Sequence, residues 1–153
     1  MKIDGDFTIA APLPKVWDAL LDPQICGPCI PGCSGIEVIS PTDYRATVTV
    51  ELGPIKASFK VAVTVTKIVP QVSVTCLTKG EEGSRASVLS ANSVMTVKAL
   101  GDEATGVHYS SEVSVTGRLG KFGLGLMKKK AESVAAAFAK NLQSHFQIER
   151  AAS

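Results

Sequence analysis

The hydrophobic period of the sequence changes once, near Gly117, and this change limits the folds that the chain can adopt. From Ile36 to Arg118, apolar and polar residues mostly alternate, which is typical of strands with one buried face. From Leu119 onward, apolar residues recur every three to four positions, which is typical of an amphipathic helix. One-sided strands followed by one such helix predict an antiparallel sheet whose apolar face is covered by the helix.

Turn signals divide the alternating segment into hairpins. Gly53-Pro54, Val69-Pro70 and Gly101-Asp102 interrupt the alternation, and a further strand is predicted ahead of it, over Ile3–Ile9. We therefore expect about seven strands. We predict one long C-terminal helix from about Leu119 to Ile148. If helical from Gly120 to Ile148, it is about 43 Å long at about 1.5 Å per residue, which is enough to cross the sheet. The sheet must then curve around this helix.

The segment after the first strand predicts one or two short helices. Pro12 and Pro14 suit the opening turn of a helix, where a missing amide proton costs nothing. Pro23 ends this helix after about two turns. Residues 24–35 carry no charge and contain two Pro and three Gly, which predicts a loop or a broken short helix. We expect an α+β fold in a single domain over residues 1–153.

Composition excludes several classes of protein. The 45% hydrophobic content of the 153 residues is enough for a core, unlike the composition of a disordered chain. A balance of 16 basic against 14 acidic residues argues against nucleic acid as the partner. The apolar runs are far shorter than the roughly 20 residues of a membrane span. The N-terminal residues lack an apolar signal core, so we expect a cytoplasmic protein.

Three cysteines lie close together in the segment between the first helix and the long run of strands. Cys26-Gly27-Pro28-Cys29 matches the thioredoxin redox motif, but the strand before it and the long helix after it are both absent from the pattern. Cys33 adds a third potential thiolate ligand, whereas structural zinc needs four, and Cys76 lies within a predicted strand. We expect no bound metal, and a cysteine-based redox or metal protein remains an alternative.

Two other motifs have plain structural interpretations. The glycines around Lys121 match no phosphate-binding loop, so their absent side chains are expected to allow close packing or to leave an empty volume. Lys128-Lys129-Lys130 indicates a solvated helix face, with contact to anionic lipid or an acidic partner as the alternative. His108 and His145 have no spacing that suggests a nucleophile or an acid–base pair. We therefore predict no catalytic residue.

The chain resembles the carbon monoxide dehydrogenase G-subunit family, within the helix-grip (START-like) superfamily. The resemblance spans nearly the whole chain. Its most specific element is the loop Cys29-Ile30-Pro31-Gly32-Cys33, and Cys26 lies outside the family pattern. The other matching segments are Ala11-Pro12 with Val16-Trp17 and Asp22-Pro23, Gly53-Pro54-Ile55 with Ala57 and Phe59, Gly117-Arg118-Leu119 with Gly123, and Phe138-Ala139-Lys140-Asn141-Leu142.

The resemblance implies a curved seven-stranded antiparallel sheet wrapped around the long C-terminal helix, with a hydrophobic cavity between them. It also implies a non-catalytic accessory protein of a molybdenum-type carbon monoxide dehydrogenase or related hydroxylase. Such a protein would bind a lipophilic ligand such as a quinone, with no covalently bound cofactor. It would aid membrane recruitment or electron delivery through peripheral contact with the inner face of the membrane.

Small inward residues support a cavity independently of the resemblance, because Val and Ala side chains fill little space between a curved sheet and one helix. We predict its mouth near residues 29–33 and the junction at residues 117–125. The predicted lining residues are Trp17, Leu20, Val48, Val50, Phe59, Val61, Val63, Val113, Phe122, Gly123, Leu126, Val134 and Phe138. The alternatives are a dry core and a cyclase- or hydrolase-type enzyme, for which Tyr44, Tyr109, Asn92 and Arg85 are the candidate polar groups.

Overall fold

A computed structural model describes the backbone of residues 1–152 and the side chains of residues 1–148. Seven strands form one antiparallel sheet in the spatial order β1-β7-β6-β5-β4-β3-β2. The strands are β1 (Lys2–Ile9), β2 (Cys33–Ser40), β3 (Asp43–Leu52), β4 (Ile55–Val69), β5 (Ser73–Glu82), β6 (Ser87–Gly101) and β7 (Ala104–Gly117). The helices are α1 (Leu13–Leu20), α2 (Pro23–Cys29) and α3 (Leu124–Ala152), with 3₁₀ turns over Gly83–Arg85 and Leu119–Phe122.

Consecutive strands from β2 to β7 pair as hairpins, while β1 pairs with β7, from Lys2 opposite Glu112 to Ile9 opposite Thr105. The first strand therefore joins the sheet beside the last, and the two short helices connect β1 to the opposite edge. The sheet is curved and α3 is its one long helix. The predicted α+β helix-grip architecture is confirmed.

Both short helices follow from local chemistry. Pro12 precedes α1 in an extended conformation, and a further proline occupies the first turn of this helix. The Asp22 side chain caps α2 by accepting a hydrogen bond from the Gln24 backbone amide at 2.9 Å. This cap allows a second helix where the sequence left a choice between a loop and a broken helix.

The long helix begins later than the sequence predicts. Leu119–Phe122 form a 3₁₀ turn, and Gly123 then adopts a φ of +84°. This backbone conformation is outside the helical region and is favourable mainly for glycine. The prediction of one continuous helix from Leu119 was wrong at its start, and α3 begins at Leu124.

The core consists of two clusters of buried apolar side chains. The first cluster joins α1, the C-terminal half of α3 and one end of the sheet, and its buried members include Val16, Trp17, Val74, Val97, Val107, Leu142 and Phe146. The second cluster lies at the other end of the sheet, against the 3₁₀ turn over Leu119–Phe122. It contains Leu52, Ala57, Phe59, Val61 and Leu119. Because Val97, Val107 and Leu142 belong to one cluster, the sheet face that carries Val97 and Val107 is the inner face, toward α3.

Candidate functional site

A band of half-buried side chains crosses the inner face between the two core clusters. On β5, for example, Val74 and Glu82 are buried at the two ends, whereas Cys76 and Thr78 between them are only half-buried. The strand period of two places all four on the same face. On β6 the inward Ser87 and Val97 are likewise buried, whereas on β4 and β7 the inward residues are buried toward one end only. The half-buried inward residues in the middle of these four strands define the central band: Val63, Cys76, Thr78, Ala91, Ser93, Ser111 and Val113. Of these, Cys76 also packs against the first cluster.

Strand register makes the central band continuous. Val63 lies opposite Thr78, Thr78 opposite Ala91, and Ala91 opposite Val113. A second row runs from Cys76 to Ser93 and on to Ser111. These two rows cross β4 to β7, the middle of the sheet, and consist of small or β-branched side chains.

The part of α3 between the clusters also carries small side chains. Met127 packs against the second cluster and Phe138 against the first. Between them, Ala131, Val134 and Ala135 recur at helical spacing and are half-buried. Side chains on this inner face therefore keep accessible surface although α3 runs from one cluster to the other.

The central band contains one pair of polar side chains in direct contact. The Oγ atoms of Ser93 and Ser111 lie 2.7 Å apart, within hydrogen-bond distance. Beside them, the Tyr109 ring lies over Gly5 of β1, where any side chain would collide with the phenol. The band therefore combines a mainly apolar surface with a hydroxyl pair near its centre.

The predicted lining residues are divided among three places. Trp17, Leu20 and Phe138 belong to or pack against the first cluster, while Val48, Val50, Phe59, Val61 and Phe122 belong to or pack against the second. Val63, Val113 and Val134 lie between the clusters and are half-buried, whereas Gly123 and Leu126 are exposed. Leu126 was predicted to line the cavity, but it is 45% exposed and does not face the interior. Its neighbour Met127 takes the inward position instead.

The candidate polar groups of an enzyme do not converge. Tyr44 donates its phenol hydrogen to the Pro41 carbonyl at 3.0 Å. Arg85 pairs with Glu81 at the surface, and Asn92 is exposed on the face away from α3. The central band carries serine, threonine and cysteine side chains but no carboxylate or imidazole.

The cysteines are free thiols in a setting that suppresses ionisation. The Cys26 Sγ lies 3.1 Å from the Ala19 carbonyl, to which it donates. Burial raises the pKa of Cys26 to about 12, with smaller contributions from Cys29, Asp22 and Cys76. A reactive redox cysteine needs the opposite shift. Within residues 1–148, His, Cys, Asp and Glu side chains form no group of three or more that could hold a metal ion.

The loop over residues 29–33 connects three elements. The Asn141 side-chain amide of α3 donates to the Cys29 carbonyl at 2.9 Å, and the Thr49 amide of β3 donates to the Gly32 carbonyl at 3.0 Å. Gly32 has a φ of +77°, and a side chain there would collide with the Thr49 carbonyl. The close approach of this loop to β3 therefore explains why a glycine occupies position 32.

An ion pair that sequence analysis missed fixes the chain ahead of α3. Arg118 donates two hydrogen bonds to the buried Glu82, one from Nε at 3.2 Å and one from Nη2. Ser87 donates to the same carboxylate at 2.9 Å and accepts from the Leu119 amide at 3.0 Å. The hydrogen bonds from Arg118 lower the pKa of Glu82. The signal that could have revealed this pair is the position of Glu82, which lies in phase with the inward residues of β5.

An open cleft of about 550 Å³ lies beside the same junction. Its lining includes Val113 of the central band, Gly120, Gly123, Leu124 and Met127 of the junction, and Ser90, Asn92, Glu112 and Ser114 of the outer sheet face. The cleft therefore lies beside the glycine-rich junction that was predicted as the mouth, and it extends from Val113 of the central band to the outer face of β6 and β7.

Comparison with known families agrees with this arrangement. A sequence model for the G subunit of carbon monoxide dehydrogenase (CoxG) matches residues 5–147. The chain belongs to the CoxG family. No curated protein sequence matches the chain significantly.

Solved structures share the fold of this CoxG-family chain. A conserved protein from Geobacillus kaustophilus has a TM-score of 0.87 at 25% identity, with 96% of this chain and 95% of that one covered. A START superfamily protein from Mycobacterium smegmatis has a TM-score of 0.73 at 16% identity, covering 95% and 97%. The Zhui aromatase/cyclase from Streptomyces sp. R1128 has a TM-score of 0.70 at 12% identity, covering 96% and 93%. Among the described residues of the CoxG-family chain, no helix is both long and apolar enough to cross a membrane.

Proposed function

We propose that this CoxG-family chain is a non-catalytic accessory protein that binds one lipophilic molecule between the central band and α3. The observation that carries the proposal is the exposure pattern of the inner face. On β5 and β6 the inward side chains toward both ends are buried, whereas small side chains between them, such as Thr78, Ala91 and Ser93, are half-buried. On β4 and β7 the inward side chains are buried toward one end only. A mainly apolar, concave surface with few polar groups is the usual form of a small-molecule site.

Membership of the family supports a partner as well as a ligand. The ligand would be a quinone or a similar molecule, and the partner a molybdenum-type carbon monoxide dehydrogenase or related hydroxylase. The protein would then aid membrane recruitment of that enzyme or electron delivery from it. A diffusible carrier suits these tasks because it can leave the enzyme with its ligand enclosed.

The expected affinity is moderate. A ligand that buries about 400 Å² of apolar surface gains about 10 kcal/mol at about 25 cal/mol per Å². Association costs at least about 4 kcal/mol. The remaining 6 kcal/mol or so corresponds to a dissociation constant of tens of micromolar, which permits both loading and release.

Peripheral membrane contact is the second part of the proposal. Leu124 is 75% exposed and Leu126 is 45% exposed at the beginning of α3. Lys128, Lys129 and Lys130 follow directly, and each lysine near an anionic surface contributes about 1 kcal/mol. This segment adjoins the cleft at the predicted mouth, so contact with lipid there would place the opening against the bilayer.

Native mass spectrometry after incubation with a lipid extract tests ligand binding. We expect one lipophilic molecule per chain, and a chain that stays free of any lipophilic mass would contradict the carrier function. Sedimentation with phosphatidylglycerol vesicles tests membrane contact, with phosphatidylcholine vesicles as the control. Leu124→Ser should reduce sedimentation with the anionic vesicles, and equal sedimentation of parent and variant would contradict the proposed contact.

A further inference from the structure

The hydroxyl pair of the central band is unusual for its position. Ser93 lies in phase with Val97 on β6, and Ser111 lies in phase with Val107 on β7, so both occupy inward positions that are apolar farther along their strands. Their Oγ atoms are 2.7 Å apart and half-buried. The backbone ladder already joins β6 to β7 over the whole length of β6, so the pair is not needed to hold these strands together.

Within the part of the chain that the structure describes, the serine pair leaves one hydroxyl hydrogen without a side-chain acceptor. Two hydroxyls bring two donors, and the contact between them uses one. Among residues 1–148, no other side-chain hydrogen bond is formed by Ser93 or Ser111. One O–H donor and several lone pairs therefore remain. A hydrocarbon that covered the band would separate this donor from water without replacing its partner, which is unfavourable.

We propose that Ser93 and Ser111 select ligands that carry a ring oxygen, with the free hydroxyl hydrogen donated to that oxygen. This inference rests on the proposed carrier function and assigns the side chains that contact an oxygen of its ligand. The neighbouring inward side chains are small and mainly apolar on one side, Ala91, Val113 and Cys76, and larger on the other, Met95, Tyr109 and Ile3. The selective polar contact is thus a local one within a surface that otherwise favours an apolar ring.

The same pair accommodates two oxidation states of such a ligand. Hydroxyl hydrogens rotate to suit their partner. Towards a carbonyl oxygen the pair donates its free hydrogen, and towards a ring hydroxyl it accepts one. We therefore expect a ring diketone and its reduced diol to bind with similar affinity. A carrier that shuttles between an oxidising and a reducing partner needs this tolerance.

Matched probes separate the contribution of the ring oxygens from that of the ring. 2,3-Dimethyl-1,4-naphthoquinone and 2,3-dimethylnaphthalene have the same ring and methyl groups and differ in the two oxygens. Carbons 2 and 3 of its quinone ring both carry methyl groups, so no unsubstituted quinone-ring carbon is open to conjugate addition by the four cysteine thiols. Dithionite reduction in the same buffer supplies the diol. Affinities are measured by calorimetry or by displacement of a fluorescent lipophilic dye.

The variants are Ser93→Ala, Ser111→Ala and the double variant. Ser110→Ala is the matched control, because Ser110 lies one residue away on the outer face. Circular dichroism and thermal unfolding verify that each variant is folded. A net hydrogen bond of about 1 kcal/mol corresponds to a roughly fivefold change in affinity.

We expect the parent to bind the quinone roughly fivefold or more tightly than the hydrocarbon, and the double Ala variant to bind the two equally. Ser110→Ala should keep the preference of the parent. Equal binding of both probes by the parent, or a preference that survives in the double variant, would overturn the selectivity of the pair and leave the carrier function standing. Binding of neither probe by the folded parent would overturn both.

Discussion

Replacing Ala91 by Leu distinguishes a ligand space from a dry core. Ala91 lies in the middle of the central band, between Thr78 and Val113 on the neighbouring strands, and all three are half-buried. If an unfilled space lies between these residues and α3, the added side chain fills it and stabilises the protein. If the inner face is closely packed, the same side chain forces its neighbours apart. The two accounts therefore predict opposite signs for the change in stability.

The magnitudes are large enough to measure. Leu adds about three methylene equivalents, each worth about 0.8 kcal/mol when fully buried. At half burial the gain is about 1 kcal/mol, which raises the midpoint of thermal unfolding by about 2–4 °C in a domain of this size. Overpacking a filled core instead costs about 1–3 kcal/mol and lowers the midpoint. If a ligand occupies this space, the Leu side chain takes the place of about three methylene groups of the ligand. The ligand loses their burial, which weakens binding roughly 50-fold.

Ala57→Leu is the matched control for this experiment. Ala57 is also an inward alanine, but it is buried within the second cluster. Both accounts predict that Leu destabilises the protein at this position. Calorimetry of unfolding, with and without 2,3-dimethyl-1,4-naphthoquinone, measures both effects. A fall in the unfolding midpoint of Ala91→Leu similar to that of Ala57→Leu would refute the ligand space.

Three further measurements test other parts of the structure. Leu142→Ala should lower the free energy of unfolding in urea by about 2–5 kcal/mol because this side chain is fully buried, whereas Leu126→Ala should change it by less than about 0.5 kcal/mol. The pKa of Glu82 is lowered by its arginine partner, so the ionised carboxylate stabilises the fold at neutral pH and loses this contribution as pH falls through its folded pKa. Glu82→Gln should therefore be less stable than the parent at pH 7, with the difference narrowing in acid; a difference independent of pH would contradict this. With a disulfide reagent at pH 8, Cys33 should react before Cys26, because burial raises the pKa of Cys26 to about 12 and keeps its thiol protonated. Labelling of Cys26 as fast as that of Cys33 in the folded protein would contradict this raised pKa.

The sequence predicts the order of elements well because each element has its own local signal. Alternation identifies the strands and assigns Val48, Val63 and Val113 to the inner face, and the change of period identifies α3. The start of α3 was missed because Leu119 and Phe122 keep helical spacing while Gly123 leaves the helical region. A glycine is compatible with both outcomes, and the packing of Leu119 in the second cluster decides between them.

The candidate site was only partly predictable for a different reason. Periodicity states which face a side chain occupies but not how far along the strand the helix stays in contact with it. Phe59 and Val63 are therefore equivalent in sequence, although the first is buried in a closed cluster and the second is half-buried in the central band. Selecting apolar residues also excluded Ser93 and Ser111. Their position in phase with Val97 and Val107 was the available signal.

The most direct test of the central claim is the position of a bound ligand. Nuclear Overhauser effects between the methyl groups of 2,3-dimethyl-1,4-naphthoquinone and the methyl groups of the protein report contacts within about 5 Å, the scale of neighbouring side chains. We predict effects to Thr78, Ala91 and Val113 of the central band, all lost in Ala91→Leu. Effects confined to exposed side chains such as Leu100 and Leu124, with none to the central band, would contradict a ligand site between the sheet and α3.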